Sequence, residues 1–198
     1  MLKDTIRQAL KLYGRTYLAA IMGGFIYLSV SVIMSMTVNE GETISDGATL
    51  AMNLIALVLQ VTLFYIIVYT KLWELGDKNA NAANFGHIVG DPLRGLKIGL
   101  LAAIPSVISF LALVADKLFG LWTGMATLYR ICHLGLYPIV ALSMGSVVTV
   151  TTADVSWGGI WCAGLPVLLV PVVATLGYFL GYRHVLLWEK IVFASKKK

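Results

Sequence analysis

The sequence predicts an all-α integral membrane protein: a compact bundle of five clear transmembrane helices plus a short or re-entrant sixth segment, with interfacial amphipathic helices. Three observations predict it. Of the 198 residues, 59% are hydrophobic and 13% charged, where soluble domains carry about a quarter charged residues. Mean hydropathy is +0.84. The apolar residues fall in runs long enough to cross about 30 Å of hydrocarbon. The net charge of +5 lies in short blocks between those runs, which fits membrane topology signals rather than nucleic-acid binding.

Residues 1–15 place Leu2, Ile6, Ala9, Leu10 and Tyr13 at helical spacing, with Lys3, Arg7 and Lys11 off that stripe. An interfacial N-terminal helix is expected. The run at 16–37 is too long for the apolar core of a signal peptide and lacks an A-x-A site after it, so it reads as the first span. The second span covers 48–70, the third 98–115 with Pro105 inside, the fifth 131–150 and the last 160–182. A basic cytoplasmic tail over 183–198 completes a single membrane domain.

Residues 118–130 are apolar but short. A helix of 12 residues over 118–129 rises only about 18 Å. Counting spans decides its role. Without it, Lys117, Arg130 and the basic tail fall outside. With it as a short span or re-entrant turn, every one of the 15 Lys and Arg except Lys117 lies inside, as the positive-inside rule requires. Both termini are then cytoplasmic. Irregular backbone is expected around 118–138, with Gly135 and Pro138 marking a break.

Inside a bilayer, small and polar residues mediate helix contacts. Ala20, Gly24, Ser31 and Ser35 share a stripe on the first span, with Tyr27 beside it. Thr49, Asn53, Ala56 and Gln60 do so on the second, and Ala102, Ser106 and Ser109 on the third. Gly177 and Gly181 form a GxxxG that suits packing or self-association between copies. Asn53, Gln60, Tyr27 and Ser31 are the candidates for a ligand path, against a plainer role as interhelical hydrogen-bonders.

The polar stretch GDKNANAANFGHIVGDPLRGLK, residues 76–97, begins like a calcium loop at Asp77, Asn79 and Asn81. It has Ala82 where the turn needs glycine and Ile88 where the bidentate acid belongs. Asp77, His87 and Asp91 lack the spacing of a metal site. No metal and no cofactor is expected. Ser143 with His133, or Asp116 with Asp154, are the nearest approach to a catalytic pair, and no G-x-S-x-G elbow accompanies them. No catalytic residue is assigned. Phe85, Ile88, Val89 and Leu93 repeat at helical spacing before Arg94, which predicts a short amphipathic helix on the inner surface. These five residues are the candidates for docking a partner. Cys132 and Cys162 are placed near opposite faces, unpaired.

The expected function is a small non-enzymatic component of a transport system, a membrane or substrate-binding subunit that docks a cytoplasmic partner such as a transporter ATPase. Size and span count are similar to those of the substrate-capturing subunits of energy-coupling-factor vitamin transporters, with no shared motif. The alternative is a scaffold or assembly partner of another membrane protein, and an intramembrane enzyme comes a distant third. The bilayer itself is the expected environment, with no nucleic-acid partner. Composition and short loops suit a bacterial cytoplasmic membrane.

Overall fold

The computed structural model describes residues 2–36, 45–145 and 150–185. Every regular element among them is helical. Helix α1 (Leu2–Ser35) leads to α2 (Asp46–Phe64), which passes through one π turn at Tyr65–Tyr69 into α3 (Thr70–Asn84). Then come α4 (Arg94–Phe119), the short helices α5 (Met125–Cys132) and α6 (Tyr137–Met144), α7 (Trp157–Ala163) and α8 (Leu165–Tyr182). Four helical stretches are long and apolar enough to cross a membrane: Lys3–Ser35, Asp46–Asn84, Arg94–Phe119 and Trp157–Tyr182.

These four run alternately up and down. Gln60 of α2 meets Gly23 of α1, while Ala9 and Leu12 cluster with Val68 and Leu72, so the first two are antiparallel. Gly99 of α4 faces Pro171 and Ala174 of α8, whereas Phe110 faces Gly164, so these two are antiparallel as well. One end of the bundle therefore gathers Asp4 with Arg94 and Asp77 with His184. The opposite end holds Lys117, whose Nζ donates to the carbonyl of Ala153 at 2.7 Å. We call these the basal and the far end.

Of the five expected spans, four stand as long apolar helices, and a bent pair, Met125–Cys132 with Leu134–Met144, is long and apolar enough together to make a fifth. Segments 118–130 and 131–150 do not form a short span followed by a long one. Gly120, in the left-handed region at φ 61°, ends α4 at the far end. The chain turns into α5, breaks, and returns as α6 at an angle of 76°. Each short helix has 8 residues, a rise of about 12 Å, so neither crosses a bilayer alone, whereas the bent pair together has the length and hydropathy of one span. The pair lies in the chain between Lys117 and Ala153, the residues joined by the hydrogen bond at the far end. The expected irregularity near Gly135 and Pro138 is present. Pro138 opens α6, where its missing N–H costs nothing.

Three further expectations are corrected. Residues 1–15 are not a separate interfacial helix, because α1 continues unbroken through Gly14 and Arg15. Ala9 of the apolar stripe, with Leu12 beside it, joins the cluster of Leu72 and Ile98, whereas Ile6, Leu10 and Tyr13 of that stripe are exposed. The polar stretch is not a loop from residue 76. Helix α3 extends to Asn84, because Gly76 lets α8 approach at Tyr178 and Tyr182, and Asn79 donates to the Tyr178 hydroxyl at 3.0 Å. Finally, Phe85 to Leu93 form turns and no amphipathic helix. Gly86 at φ 73° and Pro92 both interrupt a helical path there. The tail beyond Val185 and the loop acids Glu40 and Glu42 lie outside the described residues.

The core has two parts. The basal cluster joins α1, α3, α4 and α8 through Leu12, Val68, Ile98, Ala102, Ala174 and Tyr178. The far cluster holds the hairpin in place through Leu113, Tyr129, Val140, Met144 and Ile160. Large apolar side chains such as Phe25, Val58, Leu111 and Leu168 are exposed on the long helices, which is consistent with a membrane protein.

Candidate functional site at the elbow of the hairpin

Between α5 and α6 the chain bends through one tight turn at Leu134–Leu136. This elbow reaches the middle of the bundle, because Gly135 closes against α1. A Cβ on Gly135 would stand 2.8 Å from the Ala20 Cα, and one on Gly23 would stand 3.0 Å from the Gly135 Cα. Only small residues allow that approach. The sequence supplies them on both partners.

Below the elbow lies a cavity of about 110 Å³. Its polar lining comes from Ser106 and Ser109 of α4, Cys132 and His133 of the elbow, and Thr16 and Tyr17 of α1. Pro105 and Pro166 form part of the apolar wall. Tyr17 and Cys132 are exposed at its rim. A space of this size accommodates a few waters or a small polar solute.

His133 is the most informative group. It is 94% buried, its ring stacks on Tyr129 with centroids 4.1 Å apart, and its Nδ1 lies 3.1 Å from the Tyr129 carbonyl oxygen. A carbonyl can only accept, so Nδ1 carries the hydrogen and Nε2 is left as an acceptor. Nε2 is buried without a partner among the described residues. Tyr129 is itself anchored, its hydroxyl donating to the Ala163 carbonyl at 2.6 Å. The imidazole is thus held rigidly with one free lone pair. By contrast, Ser109 donates to the Ser106 carbonyl and Thr16 to the Tyr13 carbonyl, so their remaining capacity is acceptor as well. His133, Ser109 and Thr16 thus offer acceptors, beside Ser106, Tyr17 and Cys132, whose hydrogens can be donated.

Arg130 is not at a headgroup surface, as the span count had it. It is 97% buried, and its Nη2 donates to the carbonyls of Met144 and Gly145, both at 3.1 Å. Those are the last carbonyls of α6, the negative end of a helix dipole. The guanidinium clamps the two arms of the hairpin together.

The residues expected to line a ligand path stand elsewhere. Asn53 and Gln60 are almost fully buried, and neither touches the cavity. Gln60 donates from Nε2 to the Gly23 carbonyl at 2.8 Å, and Asn53 donates to the Thr49 carbonyl of its own helix at 2.9 Å. Tyr27 packs on Tyr137 of α6, centroids 4.4 Å apart, and Ser31 is half-buried further along α1. All four belong to the seam behind the elbow. The docking candidates are mixed. Phe85, Val89 and Leu93 are well exposed and Ile88 moderately so, whereas Arg94 is buried in an ion pair with Asp4.

Gly177 and Gly181 are used within the chain. A Cβ on Gly177 would meet the Tyr69 carbonyl at 3.0 Å, and one on Gly181 would overlap Trp73. Helix α3 occupies the face that self-association would need. The Ser143–His133 pair is not formed, since Ser143 donates to the Val140 carbonyl. Asp154 accepts from Thr151, while Asp116 accepts from the Trp122 backbone, so these acids do not share a site. Both cysteines are free thiols. Among the described residues no group of His, Cys, Asp or Glu could hold a metal ion.

Sequence reasoning missed His133, Ser109 and Pro166. The available signal was the irregular backbone expected at 118–138, because such backbone at membrane depth must be buried in protein or line a cavity. No family model, no curated protein and no solved structure matches this chain.

Proposed function

We propose that this chain is a small non-enzymatic membrane component of a transport system, with its solute site at the hairpin elbow. The observation that carries the reading is His133, a buried and rigidly held imidazole with an unpartnered Nε2, in the lining of a cavity at a break in helical structure. Broken helices meeting at mid-bundle are the usual setting of solute sites in transporters, since freed backbone groups and a few polar side chains there can replace a solute's hydration. The cavity favours a small solute that donates a hydrogen bond. The exposed Phe85–Leu93 turn supplies an apolar patch for a partner at the basal end. The concentration of basic residues at that end supports a cytoplasmic orientation for it and for both termini, in a bacterial inner membrane.

The same exposed turn supports a second reading, in which the protein is a scaffold for another membrane protein and moves nothing. One experiment separates the two. The protein is recovered from native membrane in mild detergent, and everything retained is identified by mass spectrometry. An ATPase at constant ratio supports transport. Recovery alone, or with an unrelated membrane enzyme, sinks it.

A further inference from the structure

A second cleft, of about 420 Å³, opens at the basal end between α1 and α3. Its walls carry Lys11 and Arg15 from one helix and Lys71 and Lys78 from the other, against a single carboxylate, Glu74. Lys71 is matched by Glu74 at 2.8 Å, and Glu74 lies within electrostatic reach of Lys78 and Arg15 too. One acid thus serves three of the four cations, and Lys11 is not among them. Like charges spaced four residues apart, as Lys11 and Arg15 are, repel each other on a helix. A bound anion would relieve that repulsion. Behind the cations lie the buried Leu12, Leu72 and Ile98, and Leu75 beside them is partly exposed in the cleft.

We propose that this cleft binds the phosphate group of an anionic phospholipid, with the phosphate among Lys11, Arg15 and Lys78 and the lipid's glycerol and first acyl carbons against Leu75. Free phosphate offers the same charge but makes no use of Leu75. The cleft also sits where the long helices leave their apolar windows, the headgroup level for a chain crossing a bilayer. Basic residues near a membrane surface attract anionic lipid by an amount equivalent to about fivefold in affinity each.

The test uses the full chain, purified in mild detergent and depleted of lipid, with thermal unfolding followed by tryptophan fluorescence. Phosphatidylglycerol raises the midpoint saturably, because a ligand of the folded state stabilises it. Phosphatidylcholine and glycerol phosphate leave it unchanged. In Lys11→Gln/Arg15→Gln/Lys78→Gln, half-saturation by phosphatidylglycerol moves up on the order of a hundredfold. Glu74→Gln, which removes the competing carboxylate, lowers half-saturation severalfold and keeps the test open if the triple variant folds poorly. An equal response to phosphatidylcholine, saturation by glycerol phosphate alone, or unchanged half-saturation in both variants would overturn the proposal.

Discussion

Gln60 donates a hydrogen bond to the backbone carbonyl of Gly23 at the level where Gly135 of the elbow closes on that same glycine. Three elements, α1, α2 and the hairpin, therefore meet at one glycine. The Gln60 side chain fixes the height at which α2 sits on α1, and Gly23 leaves room for the elbow to reach the middle of the bundle.

Gln60→Leu removes the interhelical bond and should lower stability by about 0.6–2 kcal/mol. Asn53→Leu should cost less, because Asn53 bonds only to its own helix. Thermal unfolding of both variants in the same detergent checks the order. If the Asn53→Leu/Gln60→Leu double variant stays folded but loses a solute response that His133→Leu retains, the path lies along α2 and not at the elbow.

The hairpin predicts its own labelling pattern. With native cysteines removed, Thr123→Cys and Ala153→Cys should react with a membrane-impermeant maleimide from the same side, and Val89→Cys from the other. All three positions are exposed. Thr123 and Ala153 reacting from opposite sides would mean that α5 and α6 together cross the membrane.

Arg94 is 91% buried and its carboxylate partner, Asp4, lies on the first turn of α1. Asp4→Asn leaves the guanidinium short of its counter-charge and should cost about 1–2 kcal/mol, less than for a fully buried pair because Asp4 is half exposed. The loss should shrink at high salt. A midpoint shift that is zero at every ionic strength would show that the N-terminal turns contribute nothing to the basal core.

At the α3–α8 contact, Gly177→Val forces a branched side chain against the Tyr69 carbonyl and should cost about 1–3 kcal/mol or more. Its effect belongs to the monomer's fold. Light scattering should find the same mass for wild type and for the folded fraction of the variant, and a dimer that dissociates in Gly177→Val would restore the self-association reading.

Much of this fold was legible in the residues. The apolar runs marked the four long helices, and the Asn53–Ala56–Gln60 stripe is indeed a buried seam. The break at Gly135 and Pro138 was readable because neither residue extends a regular helix freely. Less legible were the ends. An Asn-rich segment such as residues 79–84 has weak helix propensity, and only its packing against Tyr178 keeps it helical. Likewise, residues 85–93 had helical spacing of apolar side chains, yet nothing packs on Phe85 or Val89 to hold a helix there.

The elbow cavity was not legible at all. Ser109, His133 and Pro166 are far apart in the chain, and no local pattern says that they share a space. The sequence by itself determined what the protein must bury and what it can leave to lipid, because hydrophobicity and residue size are local properties. How the chain bends between α5 and α6, and what that bend packs against, was decided by tertiary structure. That choice rests on contacts between distant segments: the Lys117 ammonium on the Ala153 carbonyl, the Arg130 clamp on α6, and Gly135 against Ala20. None of these has an energy until the chain has folded and the partners are in reach.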